Sequence, residues 1–240
     1  MTFKFESLVP TEIYGRNTSI ASHVFHVLRN AIVTLKLLPG NSLSEAEIAK
    51  QLGVSRQPVR EAFIQLSKIG MLNILPQKGS FVVKISERDV ENARFIREAI
   101  EVAVVQRACT MATQTQLDKL LELIADQEKA AAESDQERFL ELDDAFHFEI
   151  AQSGDCLYGW RIVENLKAQM DRVRFLSLPA ATPITKIVQQ HRQIAKAIQD
   201  GDQMEACAAM KTHLGEILDS LPRLAERHKD LFTKDSGLYP

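Results

Sequence analysis

The sequence predicts a mainly α-helical chain in two parts, a small N-terminal head of three helices and a β-hairpin followed by a larger all-helical bundle. Three observations carry this. Apolar residues recur at helical spacing over most of the chain. Strand-like runs are confined to "MLNIL" and "SFVVKI", close together before residue 86. The charge divides at the same place: residues 1–85 hold ten Lys and Arg against five Asp and Glu, and the remainder holds nineteen against twenty-seven. A basic head on an acidic body suits a chain of which only the head meets a polyanion.

The 240 residues, 45% hydrophobic and 25% charged, fit two globular domains. No run approaches 18 consecutive apolar residues, and "MTFKFESLVPTE" lacks the basic and apolar regions of a secretory leader, so a cytoplasmic protein without a membrane partner is expected. Cys109, Cys156 and Cys207 are scattered and odd in number, which indicates neither a disulfide framework nor a thiolate metal site.

Residues 1–17 lack periodicity and read as a flexible arm. From Ser19 to Lys36, Ile20, Val24, Leu28, Ala31, Ile32 and Leu35 form one apolar stripe, which "LLPGN" ends with Pro39-Gly40 in a type II turn. In "LSEAEIAKQLG", Ser44 and Glu47 have capping-box spacing and Gly53 supplies the stop, giving a helix of two to three turns. "VSRQPVREAFIQLSKIG" then opens a third helix. Ser55 is its N-cap, Pro58 lies in the first turn where its missing N–H costs nothing, and Val59, Ala62, Phe63, Leu66 and Ile69 face the core. A hairpin around Pro76-Gln77-Lys78-Gly79 completes residues 18–85 as a winged helix-turn-helix.

In that motif the third helix enters the DNA major groove with its N-terminal residues foremost. Arg56 and Arg60, one turn apart, and Gln57 beside them are donors suited to bases or phosphate. A solvated charged face is the alternative. Two arginines at a helix N-terminus oppose the macrodipole, however, and a phosphate-facing role accounts for them better.

Residues 86–229 read as six helices, over about 87–111, 114–133, 136–153, 156–178, 184–200 and 202–228, with residues 230–240 a frayed tail. "DDAFHFEI" places Asp143 and His147 on one helical face. His191 lies near Ile194 and Ile198, and His213 near Met210 and Leu214, within otherwise apolar patterns. The spacing leaves two readings, hydrogen-bonded histidines, which are commoner, and nitrogen and oxygen ligands of a divalent metal.

"LSEAEIAKQLGVSRQPVREAFIQLSKIGMLNILPQKGSFV" resembles the DNA-binding head of the GntR family of bacterial transcription regulators, over roughly residues 20 to 84. The resemblance implies DNA contacts from Ser55, Arg56, Gln57, Arg60, Lys78 and Gly79; Ala46 stands where relatives often carry Arg. Asp89 to Leu221 resembles the helical effector domain of the FadR subfamily, the FCD domain, in its six-helix VanR-like form. That likeness implies a divalent metal, zinc or nickel foremost, held by Asp143, His147, His191 and His213. It also implies that Arg97, four residues before Glu101, reaches a small carboxylate effector, whereas the residues alone allow an ordinary i,i+4 pair. The function implied is a homodimeric regulator on a palindromic operator, a repressor more often than an activator. A metal-dependent hydrolase, or a regulator with a purely structural metal, are the alternatives, and no general-base motif supports the first.

Overall fold

The computed structural model describes residues 19–178 and 183–234, so the flexible-arm expectation for residues 1–17 lies outside the described residues. The chain divides into two compact units, residues 1–89 with 228–240, and residues 90–227.

The first unit begins with α1 (Ile20–Val33), capped by Ser19, whose Oγ accepts from the Ser22 amide at 3.1 Å. Its buried face carries Val24, Leu28, Ala31 and Ile32, while Ile20 is exposed and the helix ends before Leu35. Pro39-Gly40 forms the expected turn, with the Asn41 amide donating to the Leu38 carbonyl at 3.0 Å and Gly40 at φ +84. Strand β1 (Ser42–Leu43) leads into α2 (Glu45–Leu52), where Ser44 Oγ accepts from the Glu47 amide at 3.4 Å. Gly53 closes α2 in the left-handed region, φ +65, which an L side chain would strain.

Helix α3 (Arg56–Lys68) follows after two residues. Val59, Ala62, Phe63 and Leu66 are buried against its neighbours α1, α2 and β2 (Leu72–Leu75), and Ile69 is half-buried just past the helix end. Strand β2 pairs antiparallel with β3 (Gly79–Val82) in the register Leu72↔Val82, and β1 pairs with the other edge of β3. The wing is thus three-stranded, because the two-residue strand β1 is too short to show as periodicity.

The C-terminal segment departs from the frayed-tail expectation. Phe232–Thr233 forms β5, parallel to β4 (Ile85–Ser86), and the Ile85 amide donates to the Leu231 carbonyl at 2.9 Å. Ile85, Leu231 and Phe232 are buried together in the first unit, which is what holds a segment with little intrinsic strand signal. Residues 235–240 lie outside the described residues.

Helix α4 (Glu87–Met111) runs from the first unit into the second. The second unit contains α5 (Gln114–Glu133), α6 (Gln136–Ser153), α7 (Leu157–Leu166), α8 (Ala168–Ser177), α9 (Ile184–Asp200) and α10 (Gln203–Arg227). Thr113 and Gln116 form a capping box on α5, and Asp135 caps α6. Helix α5 packs on α6 and α9, α9 on α10, and α8 on α10 and α6. Their shared core holds Leu120, Ile124, Phe139, Phe146, Ile194, Met210 and Leu214.

One predicted helix, 156–178, is two. The two meet at Lys167, where ψ is −10. Lys167 is buried there, with its ammonium 2.5 Å from Asp144 and 3.0 Å from Asp171. A buried cation needs paired anions, and this tertiary demand is invisible to helical periodicity.

The tail contact has a direct test. Phe232→Ala removes a buried aromatic ring and is expected to destabilise the first unit by about 3 kcal/mol, read by denaturant unfolding. An unchanged midpoint would mean that the strand adds nothing.

Candidate functional site

Four helices converge on one buried point. Asp143 and His147 project from successive turns of α6, His191 from α9 and His213 from α10, while Arg97 and Glu101 come from α4. The four expected metal ligands each bring one ligand atom into a group lying within 4.8 Å of one another. His147 Nε2 is 3.0 Å from His213 Nε2 and 3.8 Å from Asp143 Oδ2, and His191 Nε2 is 3.5 Å from Asp143 Oδ1. Phe146, between the two α6 ligands, stacks on His191 with centroids 4.2 Å apart.

The opposite ring nitrogens fix how the imidazoles present themselves. His191 Nδ1 lies 2.7 Å from Gln127 Oε1, and Gln127 Nε2 donates to the Leu142 carbonyl at 3.1 Å, which assigns the amide oxygen to the histidine. His213 Nδ1 lies 3.2 Å from Gln190 Oε1, and Gln190 Nε2 donates to Glu216 Oε1 at 2.8 Å. His147 Nδ1 faces the Glu101 carboxylate. Nδ1 of His191 and of His213 therefore carries a proton towards an amide oxygen, which turns their Nε2 lone pairs inward, and His147 Nδ1–H points at Glu101. His147 Nε2 and His213 Nε2 face each other at 3.0 Å, and buried His191 Nε2 has no hydrogen-bond partner among the described residues. Ligands about 2.0 Å from a tetrahedral zinc lie about 3.3 Å apart, so the donor set fits a divalent ion of that size.

The charges suit the same purpose. Burial would raise the Asp143 carboxyl, but the Arg174 guanidinium beside it outweighs that and holds the group well below the usual carboxylate range. Arg174 pairs with Asp143 Oδ2, which leaves Oδ1 towards His191. Glu101 is likewise driven low despite its burial, chiefly by Arg97. Burial lowers His191 to about 3 against the partial opposition of Asp143, and pushes His213 well below its ordinary value. Neutral imidazoles beside ionised carboxylates are the states that bind metal.

A cavity of about 50 Å³ adjoins this cluster, walled by Arg97, Asp143, Arg174, His213 and Glu216 and by apolar Phe139, Met170 and Ile187. Arg97 thus lines a cavity as the resemblance implied, and it also forms the i,i+4 pair, its Nε–H donating to Glu101 Oε1. Sequence reasoning missed the links from Glu101 to His147, from Gln127 to His191, from Gln190 to His213 and from Arg174 to Asp143. Gln127 left one trace, a polar residue on the α5 face otherwise formed by Leu120, Leu123, Ile124 and Ala130.

In the head, Ser55 is the N-cap of α3 by backbone, and its side chain makes no capping hydrogen bond. Arg56, Gln57 and Arg60 are exposed on the first turns of that helix. Arg56 reaches Glu45 at 3.4 Å and Gln57 donates to Glu61 at 2.9 Å. Lys78 and Gly79 are exposed at the turn of the wing, after Gln77 at φ +61.

A winged helix-turn-helix with an exposed, basic helix start, joined in one chain to a helical domain, defines a DNA-binding regulator. Residues 20–82 match the family described as bacterial regulatory proteins, gntR family, and residues 93–216 match the FCD domain. The chain is 41% identical over 218 residues to the HTH-type transcriptional repressor RspR of Escherichia coli K12, covering 90% of this chain and 95% of that one. It belongs to the GntR family, carries an FCD domain, and is a DNA-binding transcription regulator, not an enzyme. Two solved structures share the fold. E. coli McbR/YncC has a TM-score of 0.77 at 22% identity, over 86% of this chain and 98% of that one. A GntR regulator from Rhodococcus sp. RHA1 has a TM-score of 0.71 at 23% identity, over 87% and 99%. Among the described residues no helix is long and apolar enough to cross a membrane.

The buried imidazoles give a pH dependence of defined sign. His191 has a folded value of about 3 against an ordinary 6.5, so below pH 6.5 the unfolded chain takes up a proton that the folded chain refuses. This contribution is fully present above pH 6.5 and is lost as pH falls towards 3. The thermal midpoint of metal-free protein is expected to drop between about pH 7 and pH 5, and that of zinc-loaded protein more steeply because protons also compete for the ligands. A flat profile would contradict neutral burial.

Proposed function

We propose that this regulator is a homodimeric repressor acting in the cytoplasm on a palindromic operator, and that it responds to a small carboxylate at a metal centre held by Asp143, His147, His191 and His213. The observation that carries the reading is the gathering of one ligand atom from each of Asp143, His147, His191 and His213 within 4.8 Å, with buried His191 Nε2 left without a hydrogen-bond partner among the described residues. Zinc or nickel suits three imidazoles and one carboxylate better than magnesium does. Bound there, the metal would supply a Lewis-acidic point for a carboxylate oxygen. Arg97, in the wall of the adjoining cavity, would orient that ligand through a charge-assisted pair. The name of the relative RspR supports repression, and a two-fold dimer presents two heads to a two-fold operator. The ligand acts by binding two arrangements of the regulator with different affinity.

In the head, Ser55, Arg56, Gln57 and Arg60 would approach bases or phosphates in the major groove, with Lys78 and Gly79 of the wing against the backbone. Arg56→Ala and Arg60→Ala are each expected to weaken operator binding by about 1–3 kcal/mol, with relaxed base preference where the contact is to a base. Lys78→Ala should instead weaken all sequences alike and flatten the salt dependence. Operator titrations at several salt concentrations read both, and unchanged affinity in folded Arg56→Ala and Arg60→Ala proteins would remove the helix assignment.

Metal analysis tests the body. Purified protein incubated with zinc or nickel and dialysed is expected to keep about one ion per chain. His147→Ala should lose it, and Arg97→Ala should keep it while losing the response to carboxylate. Full occupancy in His147→Ala would break the ligand set.

A further inference from the structure

One buried carboxylate touches both halves of the proposed effector site. Glu101 Oε1 accepts from Arg97 Nε, and Glu101 Oε2 faces His147 Nδ1. The three side chains are 7%, 4% and 0% exposed. Arg97 lines the cavity, whereas His147 turns its other nitrogen, Nε2, towards Asp143, at 3.8 Å, and His213.

We propose that Glu101 is a positioning residue that couples the two sites, so that a carboxylate bound to Arg97 tightens the metal and the metal makes Arg97 available to a carboxylate. The inference rests on the metal reading above. With the guanidinium on Oε1, part of the Glu101 charge is neutralised, and the carboxylate polarises the His147 imidazole less. An anion arriving from the cavity competes for the guanidinium. The charge it restores to Glu101 strengthens the hold on Nδ1–H and makes Nε2 a better donor. In the other direction, a cation on Nε2 makes Nδ1–H more acidic, draws Glu101 towards the ring and loosens its hold on Arg97. The two effects are one coupling free energy seen from either side. Gln127 and Gln190 hold the Nδ1 atoms of His191 and His213 with neutral amide oxygens, so among the three described imidazoles His147 alone has a charged partner at Nδ1, the kind that can carry this signal.

The experiment is a double-mutant cycle on zinc affinity, measured on the full chain by competition with a chromophoric chelator. Glu101→Gln keeps the shape and an acceptor for Nδ1–H but removes the charge, and is expected to weaken zinc by about 10–100-fold. Arg97→Met is expected to tighten zinc several-fold in the wild-type background and to lose most of that effect beside Glu101→Gln. A guanidinium acting directly through space would give the same gain in both backgrounds, and that result overturns the relay. Arg97→Gln, which keeps a neutral donor to Glu101, is the second variant should Arg97→Met not fold, with the same expectation. Zinc affinity unchanged in Glu101→Gln also overturns the relay while leaving the metal site standing. A wild-type chain that takes up no zinc overturns the metal reading, and the relay with it.

Discussion

Three imidazoles sealed from water with their lone pairs facing one another are the constraint around which the helical domain is arranged. A buried nitrogen without a partner costs on the order of 1–3 kcal/mol, a cost that His191 Nε2 bears among the described residues and that the proposed cation would relieve. The outward partners come from three different helices, Glu101 on α4, Gln127 on α5 and Gln190 on α9. Fixing the ring orientations therefore also fixes how those helices pack. The apolar shell of Phe139, Phe146, Ile194, Met210 and Leu214 surrounds them, and this burial is what lowers His191 and His213.

A second charged group leans on the first. Asp143, Asp144 and Asp171 gather around Lys167 and Arg174, with Arg174 reaching all three and Lys167 the latter two. Removing one member of such a buried set costs about 3–5 kcal/mol, because the others are left uncompensated. The junction between α7 and α8 lies at Lys167, whose ammonium meets Asp171 one turn on and Asp144 from α6. Arg174 joins this group to the histidine centre through Asp143, which serves both.

The head was legible in the sequence because its signals are local. Ser44, Gly53, Ser55 and Pro58 act within one turn of where they stand, and the stripe from Val59 to Leu66 needs only a helix to become a core face. The body was legible in outline: Asp143 and His147 share a face by spacing alone, while His191 and His213 joined them only through the family likeness. Gln127, Gln190 and Arg174 stayed hidden because the partner of a long polar side chain is set by tertiary packing. The return of Phe232 to Ile85 was hidden for the same reason, since a two-residue parallel pairing has neither a turn signal nor enough alternation to read.

Burial also separates two kinds of arginine. Arg56 is 70% exposed and its pair with Glu45, at 3.4 Å, is of the sort worth at most about 1 kcal/mol, so a phosphate displaces it at little cost. Arg97 is held by Glu101 through Nε away from solvent, and a carboxylate ligand taking that N–H would replace one buried carboxylate with another. That exchange is close to balanced, since the pair broken and the pair formed have the same chemistry and neither charge has water to return to. Net affinity at Arg97 must therefore come from a second anchor that the free protein does not already satisfy. The inward Nε2 lone pairs are the place where such an anchor fits, because a metal held there offers the ligand a coordination position that Glu101 cannot reach. On the proposed reading, metal and arginine would act as one site, each supplying an anchor for the acid that the other lacks.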